Sequence, residues 1–187
     1  MRRGLAVLMM SLCLLCTGCG GETSPVQEAV EFRAALVQAG GCTFRAEVTA
    51  EFSDSVEYFT LDCQGKGDGT TDLTVVAPET IAGITATVSD RGGTVTYDGM
   101  AMDFGLLANG NVIPAAAPAI VFCCWTEEYI AAAGQEEAGY RVSYEKNFDE
   151  KRLNVDTWFE NGIPIYAEVC YNGARILKLT ISDFRMN

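Results

Sequence analysis

Residues 152–184 read RLNVDTWFENGIPIYAEVCYNGARILKLTISDF, and two dipeptides within them, Asn161-Gly162 and Asn172-Gly173, decide the fold. Asn-Gly between extended segments is the preferred sequence of a two-residue hairpin turn, because both turn residues need positive φ. The stretch therefore predicts three consecutive antiparallel strands over residues 152–160, 163–171 and 174–184. A fourth strand, over 140–148, is expected just before them.

Working back towards the N-terminus, the same logic recurs. Cys42, Phe44, Ala46, Val48, Ala50 and Phe52 alternate with Thr43, Arg45, Glu47, Thr49 and Glu51. That pattern is a strand with one dry face and one wet face. Ser53-Asp54-Ser55 would turn it into a partner strand over 56–63. Shorter strands are expected over 71–77, 84–89, 94–97 and 100–104. The glycine-rich loop 65–69 lacks the G-K-[ST] ending of a phosphate cradle, and no helix follows it.

Two helices are predicted. Ser24 can cap the first, Pro25 suits its first position, and Gln27 lies where a capping box places it. Gly40-Gly41 end it. The second is expected over residues 115–133, with Pro118 limiting where it starts. Its run Ile120, Val121, Phe122, Cys123, Cys124, Trp125 is apolar nearly all round, which implies burial on more than one side. The fold class is therefore α+β: a strongly curved antiparallel sheet of about nine strands, an incomplete barrel, with two helices in its concave face. A flat sheet of that size would leave its dry face uncovered and two long edges. Ile120, Val121, Cys124, Trp125 and Tyr129 are the residues expected to line the hollow. No repeat or linker divides residues 24–187, so they form a single domain.

The first 18 residues read as a lipoprotein signal peptide, and 19–23 as a polar tether. Arg2 and Arg3 precede an apolar stretch, and Leu15-Cys16-Thr17-Gly18 places small residues before Cys19, the expected acylation site. Cys16 stands where leucine is commonest. The apolar stretch is short of the roughly 20 residues that span a bilayer. The protein is accordingly expected on the extracytoplasmic face of the cell membrane, attached through acyl chains, and monomeric.

Composition narrows the chemistry. The chain of 187 residues holds 13 basic and 25 acidic side chains and no histidine. After removal of Arg2 and Arg3 the net charge is 11 − 25 = −14. Such a chain repels nucleic acid and anionic headgroups, so no nucleic-acid partner is expected. Without histidine the commonest general base and the commonest zinc ligand are gone, and no cofactor or metal site is predicted. The carboxylate pairs Glu127-Glu128 and Glu136-Glu137 read as a solvated face.

Five cysteines follow Cys19. Cys42 and Cys63 flank one hairpin on its dry face and are the candidates for a disulfide, although a turn at Asp54 puts Phe44 or Ala46 closer to Cys63. Cys123, Cys124 and Cys170 read as small buried hydrophobes.

Two segments resemble a known family. Residues 78–84, Pro-Glu-Thr-Ile-Ala-Gly-Ile, are similar to the strand-edge segment of the LolA/LolB/LppX-like half-barrel lipoproteins. The run from Gly162-Ile163-Pro164 through Asn172-Gly173 to Ile181-Ser182-Asp183-Phe184 is similar to their closing hairpin. The nearest likeness is to the GerS-like small lipoproteins of Firmicutes. The resemblance follows the element order from Phe32 to Phe184. It implies a non-enzymatic domain whose hollow either holds a hydrophobic ligand, a lipid or acyl chain, or is packed while the protein binds a protein partner. An adaptor for a cell-wall or spore-cortex hydrolase, with no small-molecule ligand, is the second form of that expectation.

Overall fold

A computed structural model describes residues 24–51, 55–108, 111–148 and 151–187. The expected signal peptide, the expected tether with Cys19, and Phe52, Ser53 and Asp54, where a turn is expected, lie outside the described residues. Helix α1 (Pro25–Gln38) is followed by β1 (Gly41–Glu51), β2 (Val56–Lys66), β3 (Thr71–Ala77), β4 (Thr85–Ser89), β5 (Gly92–Tyr97) and β6 (Met100–Phe104). A two-stranded ribbon, β7 (Leu107–Ala108) and β8 (Asn111–Val112), leads into α2 (Ala117–Thr126). Then come β9 (Tyr129–Glu136), β10 (Gly139–Phe148), β11 (Lys151–Glu160), β12 (Ile163–Tyr171) and β13 (Ala174–Met186).

Eleven strands form one antiparallel sheet in the order β6-β5-β4-β3-β2-β1-β13-β12-β11-β10-β9. The two meanders, β1–β6 and β9–β13, are each built of neighbours in sequence and meet only where β1 pairs with β13. The sheet holds the ten strands expected by residue range, one above the expected total of about nine, and an eleventh, because residues 129–136, of which 129–133 are expected as helix, are strand. The second helix stops at Thr126, and Tyr129–Glu136 pairs along β10 as the sheet's last strand. Helix α2 touches β2 and β3 as well as β10, β12 and β13, so the sheet wraps around it. None of the described helices is long and apolar enough to cross a membrane.

Local chemistry explains most of the framework. Ser24 Oγ accepts from Gln27 N at 3.3 Å, as an N-cap should. The capping box does not close, because Gln27 Nε2 donates instead to Glu31 at 2.9 Å, one turn on. Ala29, Phe32 and Leu36 are the buried face of α1, while Val26, Val30 and Val37 face outward. In β1 every apolar member of the alternation from Cys42 to Ala50 is buried.

Asn161 and Gly162 have φ of 51° and 76°, and Asn172 and Gly173 have 54° and 81°. Both pairs thus adopt the left-handed conformations of a primed turn. Replacing Gly162 or Gly173 with valine puts a β-branched residue at such a φ, and should cost about 1 kcal/mol or more. Urea unfolding of each variant measures it; an unchanged midpoint would contradict the turn type.

Candidate functional site

The hollow is the site that sequence singled out, and its geometry starts from α2. Ile120, Val121, Cys124 and Trp125 are all buried in one core with both faces of the helix covered. Trp125 has no exposed surface. Its indole meets Phe44 of β1 at 5.5 Å between centroids, and Phe32 of α1 and Phe184 of β13 each at 6.0 Å. Phe32 in turn lies edge-on to Phe159 at 4.8 Å, which stacks flat on Tyr140 at 4.8 Å and 4°. The one polar atom of the indole is satisfied: Nε1 donates to Thr157 Oγ1 at 3.1 Å. The space under the sheet is therefore occupied by aromatic rings drawn from both meanders and both helices.

Tyr129 does not belong to this site. It is 70% exposed at the start of the edge strand β9. The alanines that follow it are good helix formers, but pairing with β10 overrides that preference.

Polar groups bind the end of α2 in place. Arg33 of α1 donates from Nε to the Trp125 carbonyl at 3.0 Å, and from Nη2 to the carbonyls of Cys124 at 2.9 Å and Glu128 at 2.6 Å. Its guanidinium also lies 5.9 Å from the Tyr144 ring centre. Cys124 and Trp125 lie in the last turn of α2, where carbonyls lack intrahelical partners, so a half-buried cation serves as their cap. Arg33→Met should cost about 2 kcal/mol by leaving them unsatisfied, with Arg33→Lys recovering only part because it lacks the fork. Thermal melting of both variants checks this, and equal melting temperatures for Met and Arg would refute it.

Beside that cap, Lys146 of β10 donates to Glu128 at 2.6 Å and to Cys123 Sγ at 3.1 Å. Burial disfavours the ammonium, but the hydrogen bonds and charges of Glu128 and Cys123 outweigh it and hold the lysine pKa above its usual value. Glu128, expected on a solvated face, is thus the counter-ion of a largely buried lysine. Nothing in the spacing of Glu128 and Lys146 announces the pair, because it forms between a loop and a strand.

Cys42 and Cys63 are both buried and unbridged. The register explains it: Cys63 stands opposite Phe44, and Cys42 opposite Gly65. Burial pushes the Cys42 thiol up to about 12 and the Cys63 thiol higher still. Cys123 and Cys124 are likewise buried and free, and Cys170 is half-buried. Among the described residues, no three cysteine or carboxylate side chains gather where they could hold a metal.

Among the described residues, two of the concavities that open to solvent bear on ligand binding. One, of about 250 Å³, lies between the end of α1 and α2, with Leu36, Val37 and Phe122 against Lys66, Thr126 and Glu127. The other is a groove of about 730 Å³ on the wet face of β1–β5, where Arg45 pairs with Asp62 at 2.8 Å and Asp72 accepts from Thr87 at 2.8 Å. Its charges are largely matched within the sheet itself.

No protein-family model matches the chain, and no curated protein does. Among solved structures it is similar to a putative outer membrane lipoprotein-sorting protein domain from Vibrio parahaemolyticus, at 7% identity and a TM-score of 0.49 over 87% of this chain and 92% of that one. A LolA superfamily protein from Nitrosomonas europaea is similar at 11% identity and a TM-score of 0.44, over 85% and 93%. The lipoprotein LppX from Mycobacterium tuberculosis is similar at 8% identity and a TM-score of 0.39, over 87% and 96%. Each of these likenesses extends over most of both chains.

Proposed function

We propose that the protein is a non-enzymatic lipoprotein of the extracytoplasmic membrane surface, tethered through acyl chains on Cys19, whose domain binds another protein. The observation that carries the reading is the aromatic filling around Trp125, which occupies the volume an acyl chain would need. Pockets that take small ligands hold roughly 300 Å³ or more. The apolar pocket between the end of α1 and α2, at about 250 Å³, falls short of that, and the groove of about 730 Å³ exceeds it but is lined largely by charged and hydroxyl side chains of the wet face. The smaller pocket's floor of Leu36 and Phe122, with exposed Val37 and charged side chains at the rim, supports a second, narrower reading, in which it grips the end of a single acyl chain.

Native mass spectrometry of the protein released from membranes in mild detergent separates the two. The expected mass is the polypeptide plus its own N-terminal acyl groups, and an additional retained lipid would overturn the protein-binding reading. The anchor is tested separately. With a net charge of −14 and no basic cluster, nothing but the acyl chains favours a membrane surface. Cys19→Ala should therefore appear in the soluble fraction or accumulate as the longer unprocessed precursor; membrane retention at the mature size would remove the lipoprotein assignment.

A further inference from the structure

One row of side chains runs across the dry face of six strands in strict register: Phe44, Cys63, Leu73, Ala86, Val95 and Met102. The first four are buried, Val95 is partly covered, and Met102 is 69% exposed. On the same face of the β5–β6 hairpin, Tyr97 and Met100 stand opposite each other at 56% and 70% exposure. The core surface thus continues out from beneath α2 and ends bare at β6. That strand is also the edge of the sheet, so alternate residues present backbone N–H and C=O groups to no neighbouring strand.

Exposed edges are ordinarily blunted by lysine, proline, a bulge or a covering element. The opposite edge follows that rule: β9 is irregular in its pairing with β10, and α1 packs over it. Among the described residues, the β6 edge shows no covering element, bulge, lysine or proline, and Asp103 is its one charge. Met-Ala-Met-Asp-Phe is regular along β5 and carries no basic residue or proline.

We infer that β6 is a docking edge for an extended segment of a partner protein in which apolar residues alternate with basic ones. This rests on the reading that the chain binds protein, and it names the surface and the partner's chemistry. Each requirement comes from one side of the strand. The open ladder requires an extended backbone. The dry side, with Met100, Met102 and Phe104, requires apolar side chains at every second position, and methionine adapts to their shapes. The wet side presents Asp103, held by Thr94 Oγ1 at 2.7 Å, and Asp98 sits in the turn, in a chain of net charge −12 overall, so the intervening positions suit lysine or arginine.

The same features disfavour other occupants. In a bilayer the unpaired ladder groups would find no partner, at several kcal/mol each. A second copy would bring its own Asp103 and no cation from β5 or β6, between two strongly acidic chains.

The test uses the acyl-free domain and a fluorescent synthetic peptide in which lysine alternates with valine, against a peptide of the same composition with the lysines in one block. Binding is read by anisotropy, and location by amide hydrogen exchange. The alternating peptide should bind and slow exchange in β6, and Met102→Lys or Met100→Lys should weaken it about tenfold or more by placing a cation and removing an apolar contact. Both side chains are exposed, so melting temperatures report that the variants remain folded. Equal binding of the two peptides, equal binding by the variants, or protection at β9 instead of β6 would overturn the inference. So would concentration-dependent dimerisation through β6, or binding to neutral phosphatidylcholine vesicles lost in Met100→Lys. If the peptide fails to bind while native spectra stay free of extra lipid, this edge is wrong and the protein-binding reading stands; retained lipid alone removes that reading without touching the edge.

Discussion

Trp125→Ala is expected to destabilise the protein by about 3–5 kcal/mol, the cost of removing a large aromatic from a packed interior. The indole is fully buried, and the rings it touches come from α1, β1 and β13. A void at that point would therefore open where the two meanders and both helices meet. The surrounding rings are themselves anchored on separate strands, which limits how far they can collapse inward. Trp125→Phe should cost less but not vanish, because Thr157 Oγ1 loses its donor and some volume stays empty. Equilibrium urea unfolding checks both. A loss below about 1 kcal/mol for alanine would mean that the hollow refills easily, as a ligand pocket would.

Stability should also fall steeply above pH 9. Cys42 and Cys63 are buried and protonated in the folded protein, with Cys42 pushed to about 12 from a reference of 9.0 and Cys63 further. An unfolded chain ionises both from pH 9 upward, while the folded chain does not, so the unfolded state gains free energy as pH rises. The stabilisation is complete below 9 and is lost between 9 and the folded values. Each thiol changes the balance by about 1.4 kcal/mol per pH unit in that window, so the pair should remove about 3 kcal/mol between pH 8 and pH 10. Cys123 and Cys124 are raised too, chiefly by burial, and act in the same direction. Denaturant titrations at the two pH values measure the loss. In Cys42→Ala/Cys63→Ala it should shrink markedly, and an undiminished loss would assign the alkaline lability to other groups.

What could be read from the chain followed from rules that act over a few residues. Asn161-Gly162 and Asn172-Gly173 specify their turns because few other pairs tolerate two positive φ values. Ser24 and Pro25 mark the start of α1 for a similarly local reason. The alternation from Cys42 to Ala50 shows which face is dry. Residues 129–136 were opaque because their alanines favour helix, and only the vacant side of β10 makes them a strand. The site was half legible. The apolar run through Trp125 announces burial, but whether its surroundings are filled depends on Phe32, Phe44, Phe159 and Phe184, which come from four separate elements. Arg33 sits among apolar residues at helical spacing, and nothing local shows that its targets are carbonyls at the far helix's end. Pairing irregularities, such as the one between Trp158 and Phe159 opposite β12, also shift side chains in ways periodicity does not register.

The meeting of β1 with β13 has a consequence for how the molecule comes into being. Each meander is a series of neighbours that can zip up as soon as it emerges, but their junction joins Cys42 to Met186 and Ala50 to Leu177, almost the full span of the domain. Contacts of such long separation are slow to form, since a large loop must close before they are gained. During synthesis, the first meander must wait with its dry face open and β1 unpaired on one side. Only when residues 174–186 arrive does the sheet become continuous. Until then the nascent chain displays the kind of sticky strand that chaperones recognise, and a stop codon at the start of β13, before Leu177, would leave two half-sheets with no seam between them.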